Sequence, residues 1–119
     1  MEALQKLLED VDFLISQHAI YISQVEKYIR KGRIFQPKDC HSCQLGLLME
    51  SINEDNLPED IKELIKDIKS LHCKFHEKAE EAFKTKDENI LQEVNDISAE
   101  LFRQLLRLKT LSKSLVSLN

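Results

Sequence analysis

Apolar residues recur along this chain at intervals of three and four. From the N-terminus the series is Leu4, Leu7, Leu8, Val11, Leu14, Ile15, Tyr21, Ile22, Val25 and Ile29, the buried stripe of one long amphipathic helix. Gly32 is the residue type favoured just past a helix end, and with Pro37 it marks residues 31–38 as a loop. A short second helix is expected over residues 39–52, with Asp39 as its N-cap. After a polar turn, Pro58 suits a first helical position and Glu59 and Asp60 a first turn. The third helix then carries Ile61, Leu64, Ile65, Ile68, Leu71, Phe75, Ala79 and Phe83. The run Thr85-Lys86-Asp87-Glu88 has capping-box spacing and should open a fourth helix, whose stripe reaches from Ile90 to Leu118.

Four amphipathic segments with short connections predict an all-α fold, an antiparallel four-helix bundle with a short second helix, as one domain over residues 1–119. The fourth helix would be roughly 45 Å long at 1.5 Å per residue. The short second helix does not cover it, so Leu105 to Leu118 are expected to stay exposed in a monomer. They are expected to pair with a second copy, making a homodimer, or with a further domain.

Polar residues interrupt two of these stripes. His18 falls between Ile15 and Ile22, and His72 and His76 flank Phe75, so three of the four histidines in the chain point at the core. His72 and His76, four residues apart, stand one above the other on one face. Burying three imidazoles without partners would cost several kcal/mol, on the order of 2 for each polar group. Cys43 on the second helix adds a fourth donor. Two histidines at i and i+4, a histidine from a second helix and a cysteine from a third suit one tetrahedral zinc ion, and the mixture of thiolate and imidazole favours zinc over magnesium or calcium. The first and third helices, if parallel and level, bring these side chains to one height.

Gly46 lies one turn from Cys43, where glycine costs a helix about 1 kcal/mol relative to alanine. Its missing side chain is read as leaving room for the metal and an imidazole ring. Tyr21 is placed in the core, with its hydroxyl able to reach the surroundings of the site. Cys73 points about 100° away from His72 around the helix and is expected to be a small buried hydrophobe. The pair Cys40-x-x-Cys43 admits two other readings, a redox couple or half of a Cys₂His₂ site with His72 and His76. The second would leave His18 on the core face without a purpose, so His18 is preferred as ligand and Cys40 is a candidate resolving thiol for Cys43. His41 is expected to be exposed and incidental.

These residues resemble the chemoreceptor zinc-binding domain family. That family's motif is a His followed three residues later by an aromatic, then Cys-x-(Leu/Phe)-Gly-x-(Trp/Tyr), then His-xxx-His. The chain offers His18-Ala19-Ile20-Tyr21, Cys43-Gln44-Leu45-Gly46 and His72-Cys73-Lys74-Phe75-His76 in that order, over about residues 11–84. It departs at Leu48, where the family has an aromatic. The resemblance implies a bacterial homodimeric four-helix bundle with one zinc per subunit, held by His18, Cys43, His72 and His76. It also implies sensing of zinc or of oxidants such as hypochlorous acid. The output would pass to a chemoreceptor or diguanylate cyclase type of signalling module, in cis or in trans.

Composition narrows the alternatives. With 119 residues, 42% apolar and 32% charged, and only two glycines and two prolines, the chain reads as a helical domain with a real core. A net charge of −4 argues against a nucleic-acid partner; the one basic cluster, Arg30-Lys31-Gly32-Arg33, sits where cations favour a helix end. No run approaches the roughly 20 apolar residues of a membrane span, and the acidic, amphipathic N-terminus is unlike a secretory signal. The expected location is the cytoplasm, with reduced thiols and no membrane partner. An enzyme is not expected: four protein ligands leave a zinc ion no open position, and a di-iron centre needs carboxylates that the stripes lack. The competing reading is a metal-free structural or adaptor bundle, for which His72→Ala would be an ordinary core change.

Overall fold

The computed structural model describes residues 2–32, 37–55 and 57–113. Among them are five helices, α1 (Glu2–Glu9), α2 (Val11–Lys31), α3 (Gln44–Glu50), α4 (Glu59–Thr85) and α5 (Glu88–Leu111), and no strand. The apolar stripes meet in one cluster that takes in side chains from all five helices, from Leu4 to Leu108.

Helix α2 runs parallel to α4, because its contacts climb both helices together. His18 meets His72, Tyr21 meets His76, and Tyr28 stacks on Phe83 with ring centroids 4.3 Å apart. Helix α5 turns back antiparallel along α4, and its first turn is tied to the end of α2 where Arg30 grips Glu88 through two 3.0 Å contacts. Gly32 closes α2 in the left-handed region at φ 66°, its N–H donating to the Tyr28 carbonyl, a backbone state that suits glycine.

Several local expectations change. The first long helix is interrupted at Asp10 alone, which sits at φ −101° and ψ 7°, outside the helical well. The main-chain bonds Asp10 N to Lys6 O and Leu14 N to Asp10 O carry the rod across the break. The second helix is shorter than 39–52. Asp39 caps a turn, not the helix: its carboxylate accepts from the main-chain N–H of His41 and of Ser42 and from the Ser42 hydroxyl, and α3 starts only after Cys43. The capping box is not used either. Thr85 ends α4 with its hydroxyl donating to the Glu81 carbonyl, and Asp87 caps α5 by accepting from Asn89 N–H. Pro58 sits one position before α4.

The largest correction concerns the exposed stripe. Leu105 and Leu108 are 0% exposed in a single copy. Leu4, Leu7 and Leu8 of α1 are fully buried in the same apolar cluster, and α1 packs beside α3, so the short α3 does not have to cover this end alone. Leu111 remains exposed; Leu115 and Leu118 lie outside the described residues.

Candidate metal centre

Halfway along the paired α2 and α4, three imidazoles and one thiol converge. His18 comes from the buried face of α2, His72 and His76 from successive turns of α4, and Cys43 from the residue that precedes α3. The four ligand atoms all lie within 4.8 Å of one another. His18 Nε2 is 3.2 Å from His72 Nε2, and Cys43 Sγ is 3.0 Å from His72 Nε2 and 3.9 Å from His18 Nε2. Bond lengths of about 2.0 and 2.3 Å at tetrahedral angles would place N–N pairs about 3.3 Å apart and N–S pairs about 3.5 Å apart. The side chains the sequence singled out are therefore brought together at close to the spacing one ion requires.

The main chain sets which nitrogen of two of the rings faces inward. His18 Nδ1 donates to the Leu14 carbonyl at 2.8 Å, one turn back on its own helix. His76 Nδ1 donates to the Lys38 carbonyl at 2.8 Å. With Nδ1–H engaged, each ring turns an unprotonated Nε2 toward the others. His76 Nε2 is buried and has no hydrogen-bond partner among the described residues, and a buried acceptor left unmatched is costly. A cation at the centre would satisfy these lone pairs; the residues fit a metal.

Electrostatics agrees. Burial holds the His72 imidazole down at about 3, helped by the neighbouring His76 and His18, and it holds His76 at about 4. His18 is also lowered by burial, against the opposing pull of its Leu14 bond. All three stay neutral at neutral pH, the state a metal ligand needs. Burial pushes the Cys43 thiol up, so its thiolate depends on a nearby positive charge.

Around the ligands the structure adds groups that the sequence did not reveal. Lys38 supplies its carbonyl to His76, and its N–H donates to the Tyr21 hydroxyl at 2.9 Å. Tyr21 is thus linked to His76 through main-chain atoms of Lys38. Main-chain acceptors leave no trace in residue identity, so no pattern could have picked out Lys38. Phe75, fully buried, lies against the His18 and His76 rings at 5.4 and 5.3 Å. A cavity of about 410 Å³, lined by Gln17, Ile20, Gln24 and Ser42 among others, opens onto His18, Cys43 and His76. His41 is exposed, as expected, and is bonded to Glu50 and Asp39.

Three readings need correction. A Cβ on Gly46 would lie 1.8 Å from the Cys40 carbonyl oxygen and 3.4 Å from His72 Cε1. The space is filled chiefly by the backbone of Cys40, and an imidazole edge comes second. Cys40 is not the resolving thiol of Cys43: its sulfur is bonded to that of Cys73, with Cα atoms 4.9 Å apart, and Cys43 is the free cysteine. Cys73, directed away from His72 around α4, is not a small buried hydrophobe with a reduced thiol: it is partly buried and bonded to the segment that leads into α3. This also removes Cys40 from the ligand set of a Cys₂His₂ arrangement.

No match was found among curated proteins or among solved structures. The family model described as the chemoreceptor zinc-binding domain matches residues 18–83, from the first of the clustered histidines to the last turns of α4. With the His18, Cys43, His72 and His76 cluster forming a site for one metal ion, and that match covering more than half of the chain, the protein belongs to the chemoreceptor zinc-binding domain family.

Proposed function

We propose that this chain is a zinc-dependent sensory and regulatory domain whose ligands are His18, Cys43, His72 and His76. The observation that carries this reading is the meeting of three inward-facing Nε2 atoms and one Sγ within 4.8 Å, with His76 Nε2 otherwise unmatched. When bound, zinc supplies the positive charge that keeps Cys43 a thiolate and joins α2, α4 and the start of α3. The protein's own contribution is orientation: Leu14 and Lys38 carbonyls aim two imidazoles, and Phe75 excludes water from one side.

The signal is either loss of zinc or oxidation of Cys43. With hypochlorous acid, the Cys43 thiolate takes the oxidant's oxygen and becomes a sulfenic acid while chloride leaves. The cavity onto Cys43 is wide enough for an oxidant of that size. Either event frees Cys43 from its partners and loosens α3, seven residues long and set between two turns. In the proposed assembly two copies form a homodimer of four-helix bundles, each copy a single domain over residues 1–119. Their output passes to a chemotaxis or cyclic-di-GMP module in cis or in trans, in the cytoplasm. Family membership supports such a sensory role and supports no catalytic one. No helix among the described residues is long and apolar enough to cross a membrane.

The test is metal content by elemental analysis of the purified protein, of His18→Ala and of Cys40→Ala. One zinc per chain in wild type and Cys40→Ala, and its loss in His18→Ala, is the expected result. Zinc lost from Cys40→Ala but kept by His18→Ala would overturn the ligand assignment. Full retention of fold and stability by His72→Ala without any metal in wild type would favour the metal-free bundle.

A further inference from the structure

The Cys40–Cys73 bond lies outside the ligand set, yet it fastens the segment on which the site depends. Residues 37–43 cross the site as a strap between α2 and α3. Three attachments hold the strap down. Lys38 is bonded through its main chain to His76 and Tyr21. The Cys40 carbonyl sits in the gap at Gly46, and the Cys40 sulfur is bonded to Cys73 on α4. Cys43, at the end of the strap, presents its sulfur to His72 and His18. Cys73 is adjacent in sequence to His72, so the cross-link joins the strap to the turn of α4 that carries that imidazole. Cys40 is buried, whereas Cys73 is only partly buried, so Cys73 is the more exposed residue of the pair.

We infer that Cys40 and Cys73 form a redox-convertible pair whose disulfide state locks the strap over the metal centre and whose dithiol state releases it, so that thiol–disulfide balance sets how fast the ion is lost. The inference rests on the ligand assignment above. For opening, a thiolate of a dithiol reductant attacks Cys73 Sγ and the Cys40 sulfur leaves. The reductant's second thiol then closes its own disulfide and releases Cys73, and two protons end on the two cysteines. For closing, Cys73 Sγ attacks a peroxide oxygen, breaking the O–O bond to give a sulfenic acid and water. Cys40 Sγ then attacks the Cys73 sulfur, the S–S bond forms and a second water leaves. Two electrons pass from the sulfur pair to the peroxide. This pair differs from Cys43, whose sulfur faces the imidazoles and whose oxidation removes a ligand. Oxidising Cys40 and Cys73 leaves the ligand set whole.

The experiment uses the zinc-loaded full chain. Wild type is prepared in the oxidised state and after treatment with a phosphine reductant, and the double variant Cys40→Ser/Cys73→Ser is prepared alongside. Thiols are counted by alkylation and mass spectrometry, and zinc release into excess chromophoric chelator is timed. The expected result is one zinc per chain in all forms, with Cys40 and Cys73 protected from alkylation only in the oxidised wild type. Release should be roughly tenfold faster or more from the reduced protein and from the double variant, the scale of losing support around a ligand. The reductant should leave the double variant's rate unchanged. Equal release rates in oxidised and reduced wild type overturn the inference, as does a reductant effect that persists in the double variant, which would trace to Cys43. Absence of zinc from every form overturns the ligand assignment and this inference together; zinc held at one per chain with indistinguishable rates overturns this inference alone.

Discussion

Gly46→Ala separates two accounts of the glycine by the sign of its effect. On helix propensity alone, alanine in α3 should stabilise the protein by at most about 1 kcal/mol. The structure opposes this. The new Cβ would stand 1.8 Å from the Cys40 carbonyl oxygen, whereas carbon–oxygen contacts settle at about 3.3 Å or more. Relief therefore needs a displacement of about 1.5 Å between α3 and the strap. Neither side is free to give: Cys40 is bonded to Cys73, and the neighbouring Lys38 is held by His76 and Tyr21. Overpacking of this kind costs about 1–3 kcal/mol, which exceeds the propensity gain. The expected net result is a metal-free protein destabilised by up to about 2 kcal/mol and a melting temperature lower by up to several degrees. Displacing the strap also moves Cys43 and the Lys38 carbonyl, so zinc affinity should fall roughly tenfold. Thermal unfolding with and without zinc, together with chelator competition, measures both. A variant that melts higher than wild type and keeps its zinc affinity would refute the close approach of Cys40 to Gly46.

Three further outcomes are expected. His72→Ala removes the imidazole nearest both His18 and Cys43 and should abolish stoichiometric zinc binding by elemental analysis; one tightly held zinc in that variant would exclude His72 as a ligand. Tyr21→Phe keeps the ring against Phe75 but removes the hydroxyl from Lys38. A lost hydrogen bond of about 1 kcal/mol should weaken zinc binding roughly fivefold with the helical content unchanged by circular dichroism, and an unaltered affinity would count against the Tyr21–Lys38 link as a support. In metal-free protein, His72 and His76 take up protons only at about 3 and about 4 when folded but near 6.5 when unfolded. The unfolded state binds more protons across that window, so stability present above pH 6.5 is lost as pH falls toward 4. Denaturant titrations of metal-free protein across that range should show the loss, and a flat profile would mean the imidazoles are not buried.

Residue periodicity alone determined the helical class and put His18, His72 and His76 on core-facing stripes; that the first and third segments run parallel was only assumed. The stripes follow because the helix repeat decides locally which positions share a face: His72 and His76 are one turn apart, and His18 continues the stripe of Ile15 and Ile22. The glycine beside Cys43 was visible as a gap, but not what fills it. The tertiary structure decided that Cys40 fills it, that Cys73 is the partner of Cys40, that Lys38 lends a carbonyl to His76, and that Leu105 and Leu108 are buried within one copy. Each of these depends on how close two segments remote in sequence come to rest. Hydrogen bonds to main-chain atoms, the pairing of two cysteines and the burial of one helix end are set by that packing distance, which no local repeat encodes.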